Sequence, residues 1–324
     1  MALAVAIAAA LPGAAAAPSR FTPPDPTERI ALRGGQWVPL TRSCRSLPAD
    51  AGLRQRIVDV AAEEWARFGY PVEEATETGL SVVYRPFSGS LVPKRLNKVA
   101  PGLTRRGMRL GAMEDDRSVA HAIGGYWTSA PDEDGIGIQN RLRAVYSATG
   151  WAVPWSAAFV SYVMCASGLG EMDRFARSDS HFVYVDQAIA RADGAAARAV
   201  YRARDVATGL PRVGDLLCAD RRWPDLLRTI ADRRRLPGER PMHCDIVVKL
   251  DRQAGFVGLI GGNVSQSVNL TMINIVPAAK GRPARVQTAA DISGARPYFA
   301  ILELTTGGEA TLDRTPAIRR ITGR

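Results

Sequence analysis

Eleven residues, Pro154-Trp155-Ser156-Ala157-Ala158-Phe159-Val160-Ser161-Tyr162-Val163-Met164, constrain this chain more than any other stretch. They read as an almost wholly apolar helix whose first hydroxyl, Ser156, stands at the N-terminus behind a proline and a tryptophan that fix how the chain arrives. Backbone N–H groups are unpaired at that end and the helix dipole is positive, so negative charge developing beside a nucleophile is stabilised there. Serine is also a preferred N-cap, which gives the same residue a purely structural reading.

Two later segments bear on that choice. Met242 to Leu250 is a β-branched run that reads as a strand, and so does Gly255 to Asn263; Asp251-Arg252-Gln253-Ala254 between them is turn material. A hairpin pairing Lys249 with a residue near Phe256 carries His243 opposite Gly262 or Asn263, within reach of a cross-strand hydrogen bond. The chain thus offers a nucleophile, a base and an orienting carboxamide in the order Ser156, His243, Asn263. Asp245 is a rival orienter, on the same strand face as His243 and roughly 6–7 Å along it. For His243 itself the plain alternative is a partly buried structural histidine. Trp155 and His181 are further candidates for the cleft, His181 also reading as a capping residue at the start of a helix, and His121 as one that packs within a helix.

Pro154-Trp155-Ser156-Ala157-Ala158-Phe159-Val160 resembles the nucleophile helix of the CHAP and NlpC/P60 superfamily, with serine where that superfamily has cysteine. Gly261-Gly262-Asn263 after a His-bearing strand fits the same resemblance. Glu64-Trp65, Tyr126-Trp127 and the Pro-Trp-Ser-Ala-Ala-Phe run are similar to the DUF2272 family of bacterial proteins, over roughly Gly52 to Leu304. The resemblance implies an α+β, papain-like fold in which helices pack on a small curled antiparallel sheet, with the site at their junction. It also implies hydrolysis of an amide or peptide bond, with peptidoglycan peptides as the substrate class. A serine hydroxyl is far less acidic than a thiol, so its proton must leave during attack. A non-catalytic cell-wall or protein-binding module that kept the cleft, and an esterase or acyltransferase, therefore stand as alternatives.

The chain divides into a signal peptide (1–17), an irregular Pro-, Arg- and Thr-rich arm (18–48), one domain (49–305) and a C-terminal tail (306–324). Ala2 to Ala17 is apolar and ends in small residues before Pro18, as a secretory signal does, although no Lys or Arg follows Met1. No other stretch is long enough to span a membrane, so a periplasmic or secreted protein is expected. Four cysteines in an exported chain can form two disulfides; Cys218 and Cys244 lie on candidate neighbouring strands, leaving Cys44 to pair with Cys165 or Cys165 as a free core thiol. The net charge of +10 favours anionic envelope partners such as peptidoglycan. Nucleic acid is not expected, since no binding motif is present. The arginines between 221 and 240 read either as a solvated helix in a long loop or as an anion-binding rim leading into His243.

Helices are expected over 49–69, 119–127, 139–148, 154–168 and 180–192, and strands near 81–84, 214–218, 244–250, 256–261, 268–275 and 298–304. Asp215 after Gly214 reads as a turn residue opening a strand. Three histidines without His-Glu-x-x-His spacing, and no Cys-x-x-Cys, give no metal site; Gly258, Gly261 and Gly262 precede no helix and make no nucleotide loop. No metal and no cofactor are therefore expected. The oligomeric state is not legible.

Overall fold

A computed structural model describes residues 21–75, 81–87, 90–99, 111–131, 134–146, 150–291 and 295–323. The signal peptide expected over 1–17 lies outside the described residues. The helices are α1 (Leu53–Arg67), α2 (Arg117–Trp127), α3 (Gly135–Tyr146), α4 (Ser156–Ala166), α5 (His181–Ala192), α6 (Ile230–Arg235) and α7 (Pro316–Thr322). The strands are β1 (Ile30–Arg33), β2 (Gln36–Pro39), β3 (Val72–Ala75), β4 (Ser81–Phe87), β5 (Ser90–Val99) and β6 (Tyr201–Asp205), then β7 (Leu216–Asp220), β8 (Met242–Asp251), β9 (Phe256–Val264), β10 (Ser267–Val276), β11 (Arg285–Val286) and β12 (Tyr298–Leu304).

Among the described residues, ten strands form one sheet in the order β5-β4-β3-β10-β9-β8-β7-β12-β6, with β11 added beside β10. All its pairings are antiparallel except β3 with β10, which is parallel. The fold is mixed α+β as expected, but the sheet is larger than the small curled antiparallel one expected. The meander β7 to β10 was readable from β-branched runs; β3 (VEEA) and β5 (SLVPKRLNKV) are charged and lack an apolar alternation. Residues 18–48 hold the β1–β2 hairpin, whose Ile30 and Trp37 are buried, and residues 306–324 hold α7, whose Ala317 and Ile318 are buried.

Every residue of α4 is buried, because it lies between β8 and β9 on one side and α1 and α2 on the others. Fully burying an aromatic or aliphatic side chain contributes about 1.5–3 kcal/mol. Phe159 of α4 meets Tyr126 of α2 edge-on at 5.5 Å and Tyr162 meets it at a tilt at 5.1 Å, and Tyr126 also meets Trp155 at 5.9 Å. Tyr126 donates its hydroxyl to buried Glu64 on α1 at 2.6 Å. Burial pushes the Glu64 carboxyl up to about 7 against the pull of Arg67 and Tyr126.

Strand alternation divides the sheet's residues between two faces. Cys244, Ile246 and Val248 of β8 join the core beneath the helices, while Val247 joins Leu217, Val257, Leu259, Ile273 and Ile301 in a second apolar cluster. Lys249 pairs with Gly258 rather than with a residue nearer Phe256, and an irregularity between Val247 and Lys249 shifts the ladder to Ile246 opposite Ile260. Carried on three residues, that register sets His243 opposite Asn263.

Two disulfides lock the frame. Cys218 and Cys244 are directly opposed on β7 and β8, and Cys44 of the N-terminal arm is bonded to Cys165 at the end of α4. No helix among the described residues is long and apolar enough to cross a membrane.

Candidate active site

Ser156 is the first residue of α4, and Trp155 holds the cap position without a side-chain capping bond. The Ser156 hydroxyl therefore does not cap the helix; it lies 2.8 Å from Nε2 of His181, the first residue of α5. The other ring nitrogen of His181, Nδ1, accepts the Cys244 backbone N–H at 3.2 Å and contacts the Tyr184 hydroxyl one turn along α5. A backbone N–H can only donate, so Nδ1 is an acceptor and the neutral ring carries its proton on Nε2, donating to Ser156 Oγ. Burial, reinforced by the neighbouring His243 and Arg221, holds His181 well below the usual imidazole range, against the pull of Asp245. Burial also pushes Tyr184 well above the usual phenol range, so it keeps its proton to donate.

His243 is tied differently. Its Nε2 lies 2.8 Å from Asp245 Oδ1, while its buried Nδ1 has no hydrogen-bond partner. Arg296 donates to the other carboxylate oxygen of Asp245 at 2.7 Å. Burial alone would raise the Asp245 carboxyl, but His243 and Arg296 together bring it down to about 2. An ionised carboxylate at Nε2 takes the ring's N–H there, leaving the Nδ1 lone pair free. Of the two imidazoles, His243 is thus in the tautomer of a general base, and His181 in that of a donor. The rings lie 5.2 Å apart between centroids.

A cavity of about 730 Å³ is lined by His243, Asn263, Ser265, Arg296, Arg221 and Trp223, among others. Ser156 and His181 are buried and are not on its wall. Asn263, at positive φ (52°) near the end of β9, borders the cavity, but the orienting position at His243 Nε2 is taken by Asp245. Glycine at 261 makes room for that carboxylate, since a Cβ there would stand 1.8 Å from Asp245 Oδ1. Trp155 is fully buried and donates its indole N–H to Glu114 at 2.9 Å. Asp215 accepts from Arg54 at 2.8 Å in a buried ion pair below β7, away from the two imidazoles.

The structure thus brings Ser156 and His181 together on the helical side, and His243 and Asp245 on the cavity side. Sequence reasoning named Ser156, His243 and Asn263, with Asp245 as a rival orienter, and weighed His181 as a capping or cleft residue; the helical spacing of His181 and Tyr184 was the available signal for their contact. Arg296, in Ala295-Arg296-Pro297, offered none. Among the described residues no group of three or more His, Cys, Asp or Glu is arranged to hold a metal ion.

Residues 114–304, more than half of the chain, match the family model described as an uncharacterized protein conserved in bacteria, DUF2272. The chain belongs to the DUF2272 family. The matched span runs from Glu114, the partner of Trp155, through β12, and contains all the residues of both imidazole clusters. Glu64 and Trp65, which also resemble DUF2272, lie before it. No curated protein and no solved structure matches this DUF2272 chain.

Proposed function

We propose that this protein is a cell-envelope hydrolase that cleaves an amide or peptide bond, with peptidoglycan peptides as its substrate class, on a papain-like plan in which serine replaces cysteine. The observation that carries the reading is the pair of imidazoles at the α4 N-terminus, one held as a donor to Ser156 and the other anchored by Asp245 with a free Nδ1. The helix carrying Ser156 packs on the β8–β9 hairpin carrying His243, which is the order and placement expected of the CHAP and NlpC/P60 superfamily. Two disulfides fit a periplasmic or secreted location.

In this mechanism Ser156 Oγ, accepting from His181 Nε2–H, directs its own proton to His243 Nδ1 as it attacks the substrate carbonyl. Asp245 stabilises the imidazolium that forms, and His243 returns the proton to the leaving amine. Backbone N–H groups of the first turn of α4 stabilise the oxyanion. Water then attacks the acyl-serine by the same route.

One observation favours a second reading, a binding module: Ser156 is buried and off the cavity wall. Labelling by a fluorophosphonate and product release from muropeptides separate the two. The hydrolase reading expects wild type to label and turn over, Ser156→Ala to do neither, His243→Ala to lose about 10²–10⁴-fold in rate, and Ser156→Cys to retain activity. Wild type that binds muropeptides without releasing product is the outcome of the binding module. Turnover surviving in Ser156→Ala removes the nucleophile assignment.

A further inference from the structure

Trp223 is 81 % exposed, whereas the other five tryptophans are at most 3 % exposed. Its loop is nonetheless pinned. The buried Asp220 carboxylate accepts the backbone N–H groups of Arg221 (2.9 Å), Arg222 (3.2 Å) and Leu227 (2.7 Å), and Arg240 grips both its oxygens at 2.9 and 2.6 Å while also donating to the Asp225 carbonyl. Buried Leu227 anchors the far end. An indole held out to water on a fixed loop, at the wall of the cavity that His243 lines, leaves a large apolar face to be covered by whatever enters.

Charge selects the occupant. Asp220 is committed to Arg240, Asp291 to Arg285 and Arg296 to Asp245, so the ion pairs on the wall are closed. Arg221 is exposed, lines the same wall and has no carboxylate partner among the described residues. The Asn263 carboxamide on the same wall offers a donor–acceptor pair, the complement of a peptide backbone. We infer that the cavity binds an acidic peptide, with Arg221 taking a free carboxylate and Trp223 covering an aliphatic stretch beside it. The volume is that of a small-ligand site. The inference rests on the cavity being the substrate site of the proposed hydrolase, and adds which residues choose the substrate.

The test uses the full chain and an N-acetylated synthetic tetrapeptide of alanine, glutamate, alanine and alanine with free carboxylates, against the same peptide amidated at both. Trp223 is the indole open to acrylamide, so the free-acid peptide should cut the quenchable fluorescence and bind at least 10-fold more tightly than the amidated one by calorimetry. Arg221→Ala should erase that preference and Arg221→Lys restore part of it. Trp223→Ala should weaken both peptides about 10-fold, with Trp223→Phe between. Equal binding of acid and amide, or unchanged affinity in both alanine variants, overturns the inference, and does so even if wild type hydrolyses muropeptides. Preference for the acid peptide in a protein that releases no product supports the inference while removing the hydrolase reading.

Discussion

A carboxylate as deeply buried as Asp245 stays charged only through its partners. With His243 and Arg296 in place its folded value is about 2, against 3.8 for the free side chain. A depressed carboxylate favours the folded state above the unfolded value, so this contribution, about 2 kcal/mol, is present above pH 4 and fades as the pH falls through 2. Asp245→Asn should therefore flatten the fall in urea-unfolding free energy between pH 5 and 2, and at neutral pH should lower turnover by two to four orders of magnitude, because the amide no longer fixes the His243 tautomer. A variant as acid-sensitive as wild type would mean that Asp245 is not charged in the fold. Ser156, His243 and Asp245 could be singled out in the sequence because each stands in a local pattern: a helix start, a strand start, and the same strand face two residues on. Arg296 and Tyr184 act through contacts made only when distant segments meet, and no spacing encodes those.

At the level of elements, the hinge of the site is the contact between α4 and β9. A Cβ on Gly262 would come 2.4 Å from Phe159 Cβ, so helix and strand approach as closely as glycine allows. Gly262→Ala should cost about 1–3 kcal/mol of stability by overpacking, read by chemical denaturation, and should reduce Ser156 labelling because α4 is pushed away from the His243 strand. Stability equal to wild type would show that α4 moves without strain. The β7 to β10 ladders were legible because their inward and outward residues are apolar on both faces, as buried strands require. Of the extra wing, β4 was read in part, as a strand near 81–84, but β3 and β5 were not, since nothing in a charged four-residue segment such as Val72–Ala75 separates strand from loop.

For the whole molecule, the N-terminal arm is part of the domain's fabric. Cys44 is covalently joined to Cys165 at the far end of α4, and Ser46 bridges Leu169 beside it. The bond closes 121 positions of chain, and removing a crosslink of that kind costs about 2–5 kcal/mol. The double variant Cys44→Ser, Cys165→Ser should show that loss as a lower melting temperature; a melting temperature equal to wild type would mean the arm is held by packing alone. Composition indicated the pairing only as one of two alternatives, because export makes disulfides available without choosing partners.

The parallel join of β3 to β10 sets an order of events. The ladders from β7 to β10 link neighbouring segments, but Val72 meets Leu270, about two hundred positions along the chain. Contacts so remote carry the largest loop-closure cost and form late. Until they do, the outer side of β10 from Leu270 to Met272 is an unpaired edge, a template on which a second unfinished chain can add its own strand. Refolding yield should thus be governed by protein concentration, and the vulnerable surface in nascent chains is β10, Ser267–Val276.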